Sequence, residues 1–298
     1  MDGVLIINKP SGCTSHDVVE IVRRRFGMRR VGHAGTLDPL AQGVLVLLLG
    51  RATRLAEFLT GHQKEYVAGL LLGITTETQD VEGGIVSDQS AAGVTEEDLQ
   101  VAAEKFRGPI QQIPPMYSAV KIGGQTLHRL ARAGKTVERP PRNITVFDLR
   151  VSDFQPGEHA RATLSCVVSS GTYIRTLCAD IGESLGVGGC MEHLLRTSSG
   201  PFRIEQCTAL EVIERASKAD LEDLLLPPAD ALHGIPRVDV DSTLARQFCH
   251  GIFVPGTPSE SDGLVRVHGD QGELLGVGRF DAESSKIKPL KVICDTGS

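Results

Sequence analysis

Between Val31 and Gly50 the chain reads VGHAGTLDPLAQGVLVLLLG. The first half is polar and glycine-rich, and the second half, Val44 to Leu49, is an unbroken apolar run. A short apolar run bounded by Gly43 and Gly50 reads as a strand buried on both faces. A polar loop fastened to such a strand holds a side chain still. Asp38 is the candidate: Pro39 drives its backbone out of the α region, and Gly32, Gly35 and Gly43 permit tight turns and close approach of another chain. A lone Asp-Pro is more often just a turn; the density of special residues around this one favours chemistry. Two further features stand beside it, Tyr66 in a strand-like segment and the turn Gly171-Thr172-Tyr173-Ile174-Arg175. An arginine beside an aspartate holds the carboxylate ionised and oriented. A desolvated carboxylate serves as nucleophile or base. A tyrosine face stacks on a flat ring, worth about 1–3 kcal/mol for a nucleobase. Carboxylate, guanidinium and aromatic plate suit cofactor-free work on a ring, an extruded nucleobase being one such ring. The residue types alone do not name the reaction.

Several standard chemistries are missing. There is no glycine-rich phosphate loop ending in Lys-Ser/Thr, no GxGxxG after a strand, and no GxSxG elbow. Cys190 and His193 have ligand-like spacing but no second pair, so metal binding is not expected. A metal-dependent nuclease or deaminase would need such a set.

The elements around these residues follow from pattern. Gly3–Ile7 reads as a strand, and Asn8 to Gly12 as a turn cluster. Thr14 or Ser15 caps a helix to Phe26, stopped by Gly27 and rich in arginine at its end, where positive charge suits the dipole. Ala52–Leu59 reads as a helix, Lys64–Gly73 as a strand with one exposed face, and Thr75–Ile85 as a loop. Thr95 caps a helix over 96–106. Gly108–Pro115 reads as a Pro-rich connector. Residues 116–143 form a basic arm with a turn at Gly123-Gly124 and a short helix to about Ala133. Strands follow at Ile144–Asp153 and Ala160–Ser169, then a helix from the Tyr173 turn to Leu185, and a strand through His193–Arg196. Residues 205–230 read as acidic and helical. From about His233 the strands are Gly263–His268, Glu273–Phe280 and Ile287–Ile293, the spacing of a small β-barrel of about 65 residues.

With 298 residues and 41% apolar content, the chain can bury a large core. The N-terminal segment lacks the pattern of a signal peptide or membrane helix, and the seven cysteines show no Cys-x-x-Cys pair. Reduced thiols in a cytoplasmic protein are the expectation. Net charge is −6, but residues 121–150 carry seven Lys/Arg against two Asp/Glu, and residues 1–60 carry eight against five. The segment 77–104 carries eight acids and no Lys/Arg. A basic face on an acidic body still steers a polyanion, although solvated helix faces give the same counts.

These residues closely resemble the TruB-type tRNA pseudouridine-55 synthases. The resemblance runs through GVLIINKPSGCTSHDVV (3–19), RRVGHAGTLDPLAQGVL (29–45), KEYVAGLLLG (64–73), IPPMYSAVKIGGQTLHRLARAG (113–134), RNITV (142–146) and SSGTYIRTLCADIGESLG (169–186). It implies an α+β fold: a mixed, largely antiparallel sheet with flanking helices in a catalytic domain (1–232), then a small PUA-like RNA-binding β-barrel (233–298). It implies isomerisation of uridine 55 in the tRNA T-loop to pseudouridine, without cofactor or metal. The glycosidic bond breaks, the base turns and a C–C bond forms. Asp38 would be the essential carboxylate, its precise role left open. Tyr66 would stack on the flipped uracil and is a candidate for proton transfer, and Arg175 would pair with Asp38. Tyr173 would line the pocket, Leu194 (or Leu195) would be an apolar wall, His33 would fill the space the base leaves, and Lys9 would support the pocket. The arm 116–143 would grip the T-stem by phosphate and sugar contacts. The C-terminal RNA contact is the thinnest part, since residues 260–298 carry seven acids against five Lys/Arg. A monomer, with neither membrane nor obligate protein partner, is expected. A non-catalytic RNA-binding or RNA-folding protein on the same scaffold would also bind tRNA, and parts from the enzyme at Asp38→Asn.

Overall fold

In this computed structural model the described residues are 1–256 and 263–294. The strands of the first unit are β1 (Gly3–Lys9), β2 (Val31–His33), β3 (Gln42–Leu49), β4 (Lys64–Leu72), β5 (Ile74–Thr76), β6 (Ile85–Asp88), β7 (Gly108–Gln112), β8 (Lys121–Ile122), β9 (Gln125–Thr126), β10 (Arg142–Gln155), β11 (Arg161–Val168), β12 (Gly189–Ser199), β13 (Phe202–Arg203) and β14 (Thr208–Ala209). Its helices are α1 (Ser15–Phe26), α2 (Ala56–Thr60), α3 (Glu96–Glu104), α4 (Leu127–Arg132), α5 (Ile174–Ser184), α6 (Leu210–Arg215) and α7 (Lys218–Asp223). The main sheet runs β14-β1-β3-β12-β4-β11-β10-β7, with β2 on β3 and β13 on β12. Only β1/β14 and β3/β12 pair in parallel, so the sheet is mixed and largely antiparallel, as expected.

β3 is buried on both faces, as its apolar run requires. Leu45, Leu47 and Leu49 join Val18 and Val22 of α1 in one core. Val44, Val46 and Leu48 join Leu55, Leu59 and Phe202 in another. α1 begins at a Thr14–Asp17 capping box and ends on Gly27 in the left-handed region.

Several expectations are corrected. β4 has no fully exposed face: only Glu65 and Val67 are half-exposed, and every other residue from Lys64 to Leu72 is buried. Residues 50–55 form a 3-10 turn before the short α2. The segment read as a 75–85 loop is framed by the β5/β6 hairpin. The Pro-rich connector contains β7, an edge strand; proline is tolerated at an edge, where its missing N–H faces no partner strand. The acidic 205–230 stretch is broken into α6 and α7 rather than one helix.

The C-terminal unit contains β15 (Arg237–Asp239), α8 (Ser242–Cys249), β16 (Val254–Pro255), β17 (Gly263–His268), β18 (Leu274–Asp281) and β19 (Lys286–Val292). Its curled sheet has the order β15-β17-β18-β19-β16, consistent with a PUA-like half-barrel; residues 257–262 and 295–298 of the expected domain lie outside the described residues. Val277 and Ile293 share a core cluster with Val46 and Leu48 of the first unit. Arg54 donates to the Val292 carbonyl at 2.7 Å, and Lys291 pairs with Glu57 at 3.3 Å. The seven-thiol expectation fails at one point: Cys249 and Cys294 form a disulfide across 45 residues, a pairing that sequence spacing does not reveal. Among the described residues no helix is long and apolar enough to cross a membrane.

Candidate active site

The loop carrying Asp38 is held residue by residue. Arg196 donates to the carbonyls of Gly35 (3.2 Å) and Thr36 (3.3 Å). Leu37 exchanges two hydrogen bonds with the buried Ser15 hydroxyl, which accepts from its N–H at 2.8 Å and donates to its carbonyl at 2.9 Å. The Pro39 carbonyl accepts from Lys9 Nζ (3.3 Å) and the Gly12 N–H (2.9 Å), and the Leu40 carbonyl accepts from Ser11 Oγ (3.0 Å). The Asn8–Gly12 turn is therefore a clamp on the aspartate loop. At the loop's exit Gly43 has φ +103°, and a Cβ there would lie 2.2 Å from the Arg196 carbonyl oxygen, so only glycine lets β3 and β12 meet.

Asp38 projects at the rim of a cavity of about 400 Å³. Its Oδ2 lies 2.9 Å from Nε of Arg175, whose side chain is only 5% exposed against 38% for Asp38. The other guanidinium nitrogens of Arg175 donate to the carbonyls of Thr78 (2.7 Å) and Tyr117 (2.9 Å). A second carboxylate, Asp80, lies 3.5 Å from Nη1 and is itself buried. Thr78 Oγ1 donates to Asp80 Oδ1 at 2.5 Å, and the Glu82 N–H does so at 3.2 Å. A buried guanidinium between two carboxylates is charge-compensated and geometrically fixed. Arg175 sits in the first turn of α5, and the preceding Tyr173 has both main-chain groups clamped by the Gln112 amide: N–H to Oε1 at 2.8 Å, Nε2 to C=O at 3.0 Å.

The cavity wall includes His33, Asp38, Tyr66, Tyr173, Arg175 and Leu194, so six of the seven sequence candidates converge on one space. Leu194, not Leu195, is the apolar wall. Lys9 is the exception. It is fully buried beneath the wall, donating to the carbonyls of Pro10, Cys13 and Pro39. It braces the Asp38-Pro39 turn and supports the pocket from beneath without lining the cavity, so it is not placed for direct substrate contact.

Electrostatics grade the wall. Burial pushes the Tyr66 phenol above its usual range, with the Arg196 guanidinium opposing the rise. The phenol is thus neutral at neutral pH and carries a proton. Burial, reinforced by Arg196, pushes His33 down, so its imidazole is neutral there too. Lys64, also on the wall, is pushed down to about 8 by burial and Arg196. His33 Nδ1 and Ser118 Oγ are buried without a hydrogen-bond partner, leaving two polar groups for a ligand.

Sequence reasoning missed Asp80, Gln112, Lys64 and Arg196. Asp80 was hidden in an acidic run. Arg196 stands in a strand that also carries Glu192, His193, Thr197 and Ser198, so its burial gave no signal in the sequence.

Residues 23–174 match the TruB family pseudouridylate synthase (N terminal domain), residues 175–233 the tRNA pseudouridylate synthase B C-terminal domain, and residues 236–293 the pseudouridine synthase II TruB C-terminal domain. The chain is 48% identical over 252 residues to the tRNA pseudouridine synthase B of Symbiobacterium thermophilum, covering 85% of this chain and 83% of that protein. It is 41% identical over 300 residues to that of Geobacillus thermodenitrificans, covering 98% and 99%. The crystal structure of the archaeal box H/ACA sRNP Nop10-Cbf5 complex contains a similar fold, with TM-score 0.73 and 26% identity over 99% of this chain and 86% of that one. With the paired carboxylate and guanidinium at its centre, the chain belongs to the TruB family of pseudouridylate synthases.

Proposed function

We propose that this protein isomerises uridine 55 in the T-loop of tRNA to pseudouridine, acting on a base flipped out of its stack. The C1′–N1 bond breaks, the uracil turns within the cavity, a bond forms between its C5 and C1′, and the C5 proton is lost as N1 gains one. Asp38 is the essential carboxylate, acting at the sugar or the base. Arg175 orients it. Tyr66 stacks on the uracil and holds a proton to exchange with it. Tyr173 and Leu194 bound the ring, and His33 fills the gap left in the RNA loop. The observation that carries this reading is the 2.9 Å Arg175–Asp38 pair at the mouth of a cavity walled by Tyr66.

The arm over 116–143 takes the T-stem backbone, and the unit from 233 adds RNA contact. The protein works as a cytoplasmic monomer. The test is incubation with unmodified tRNA transcript followed by pseudouridine mapping. Wild type is expected to modify position 55. Asp38→Asn, isosteric and neutral, is expected to bind tRNA within about twofold of wild type yet yield no pseudouridine. Intact modification by that variant would remove Asp38 from the mechanism.

A further inference from the structure

Arg196 heads the fully buried side chains by volume, at 1% exposure. None of the steps proposed above uses it. It lies in β12 at the register position facing both Gly43 of β3 and Tyr66 of β4, so it sits between the strand that leaves the aspartate loop and the strand that carries the stacking ring. Three of its hydrogen bonds go to main-chain carbonyls, Val44 at 2.7 Å, Gly35 at 3.2 Å and Thr36 at 3.3 Å, while its guanidinium also bonds the Tyr66 phenol and borders the cavity. Among the described residues it forms no ion pair with a carboxylate, unlike Arg175. A buried cation without a countercharge is expensive.

The three acceptors explain the choice. Gly35 and Thr36 precede Asp38, and Val44 follows it on β3. One planar fork thereby ties both ends of the loop to each other. Arginine meets each acceptor with a separate nitrogen of one rigid plane, Nε, Nη1 and Nη2, where lysine offers a single nitrogen. Charge-assisted bonds are also the stronger kind. Gly35, at φ +116°, brings the loop against this fork: a Cβ there would lie 3.8 Å from Arg196 Nη1 and 3.6 Å from Lys64 Cε.

We propose that Arg196 is a positioning residue for the reaction, acting through the 35–44 loop to aim the Asp38 carboxylate. It rests on the uridine-isomerising reading only for its kinetic readout. Displacement of a reacting group by about 1 Å costs on the order of 100-fold in rate. Arg196→Met keeps length and loses all three main-chain bonds; Arg196→Lys keeps the charge and part of the bonding.

The experiment compares both variants with wild type in single-turnover pseudouridine formation at saturating enzyme, in tRNA Kd, in melting temperature and in hydrogen–deuterium exchange. The expected result is a rate about 100-fold lower for Arg196→Met and about 10-fold lower for Arg196→Lys. Kd stays within about twofold, and faster exchange is confined to residues 34–44. Wild-type rates in Arg196→Met would overturn the inference. So would a rate that falls in step with Kd and melting temperature in both variants, since that marks a residue serving the fold alone. If wild type itself makes no pseudouridine, the substrate reading fails. Exchange then decides by itself: loosening restricted to 34–44 upholds the positioning role, and unchanged exchange there overturns it.

Discussion

If Asp38 carries the chemistry as proposed, its aim depends on how few ways Arg175 can sit. Three of its nitrogens have fixed acceptors, and Asp80 adds a second countercharge behind it. Asp80→Asn keeps the shape and removes that charge. It is expected to slow single-turnover modification by about 10–100-fold with tRNA Kd unchanged; a wild-type rate would confine Asp80 to a packing role. Away from the cavity, burial pushes the Asp180 carboxyl up to about 6 from its ordinary 3.8, and Glu183 adds to the rise. The folded state then holds that proton more tightly than the unfolded chain. The resulting stabilisation is complete below about pH 4 and is lost as pH rises through 6. Arg139 and Gln79 line the same pocket as Asp180 and Glu183. Asp180→Asn is expected to raise the melting temperature at pH 7.5 and leave it unchanged at pH 4, checked by thermal melts across that range.

At the scale of elements, the clearest readings were those where local chemistry and packing agree. The apolar run of β3, the Thr14 and Thr95 capping boxes and the three long C-terminal strands were all legible, to within a residue or two at most ends. The illegible parts depended on distant partners. β7 is a strand only because β10 pairs with it, and Asp80 and Arg196 are recognisable only once α5 and the aspartate loop lie beside them. The arm shows both sides. Its Gly-Gly turn and α4 match expectation, but Ser118 and Ala119 at its root line the cavity and the Tyr117 carbonyl accepts from Arg175. Removing all of 116–143 would therefore damage the site itself. Replacing only 121–135 with a short glycine linker is expected to weaken tRNA binding and flatten its salt dependence, at constant melting temperature. Unchanged affinity in a filter-binding titration would take the arm out of RNA contact.

For the whole molecule, the two units share one apolar cluster, in which Val277 and Ile293 cover Val46 and Leu48. A chain ending at residue 232 would expose that face of the sheet, with each uncovered aliphatic side chain worth about 1.5–3 kcal/mol. It is expected to melt roughly 5–10 °C below the full chain and to aggregate. A truncated protein as stable as the intact one would show that the contact is incidental.

The bond from Arg175 to the Tyr117 carbonyl makes the arm and the carboxylate two ends of one lever. The root of the arm cannot swing away while that nitrogen keeps its acceptor, and if it swings, the guanidinium facing Asp38 loses one of its fixed partners. If the arm takes the T-stem as proposed, its hold on the RNA and the aim of the carboxylate share this one bond.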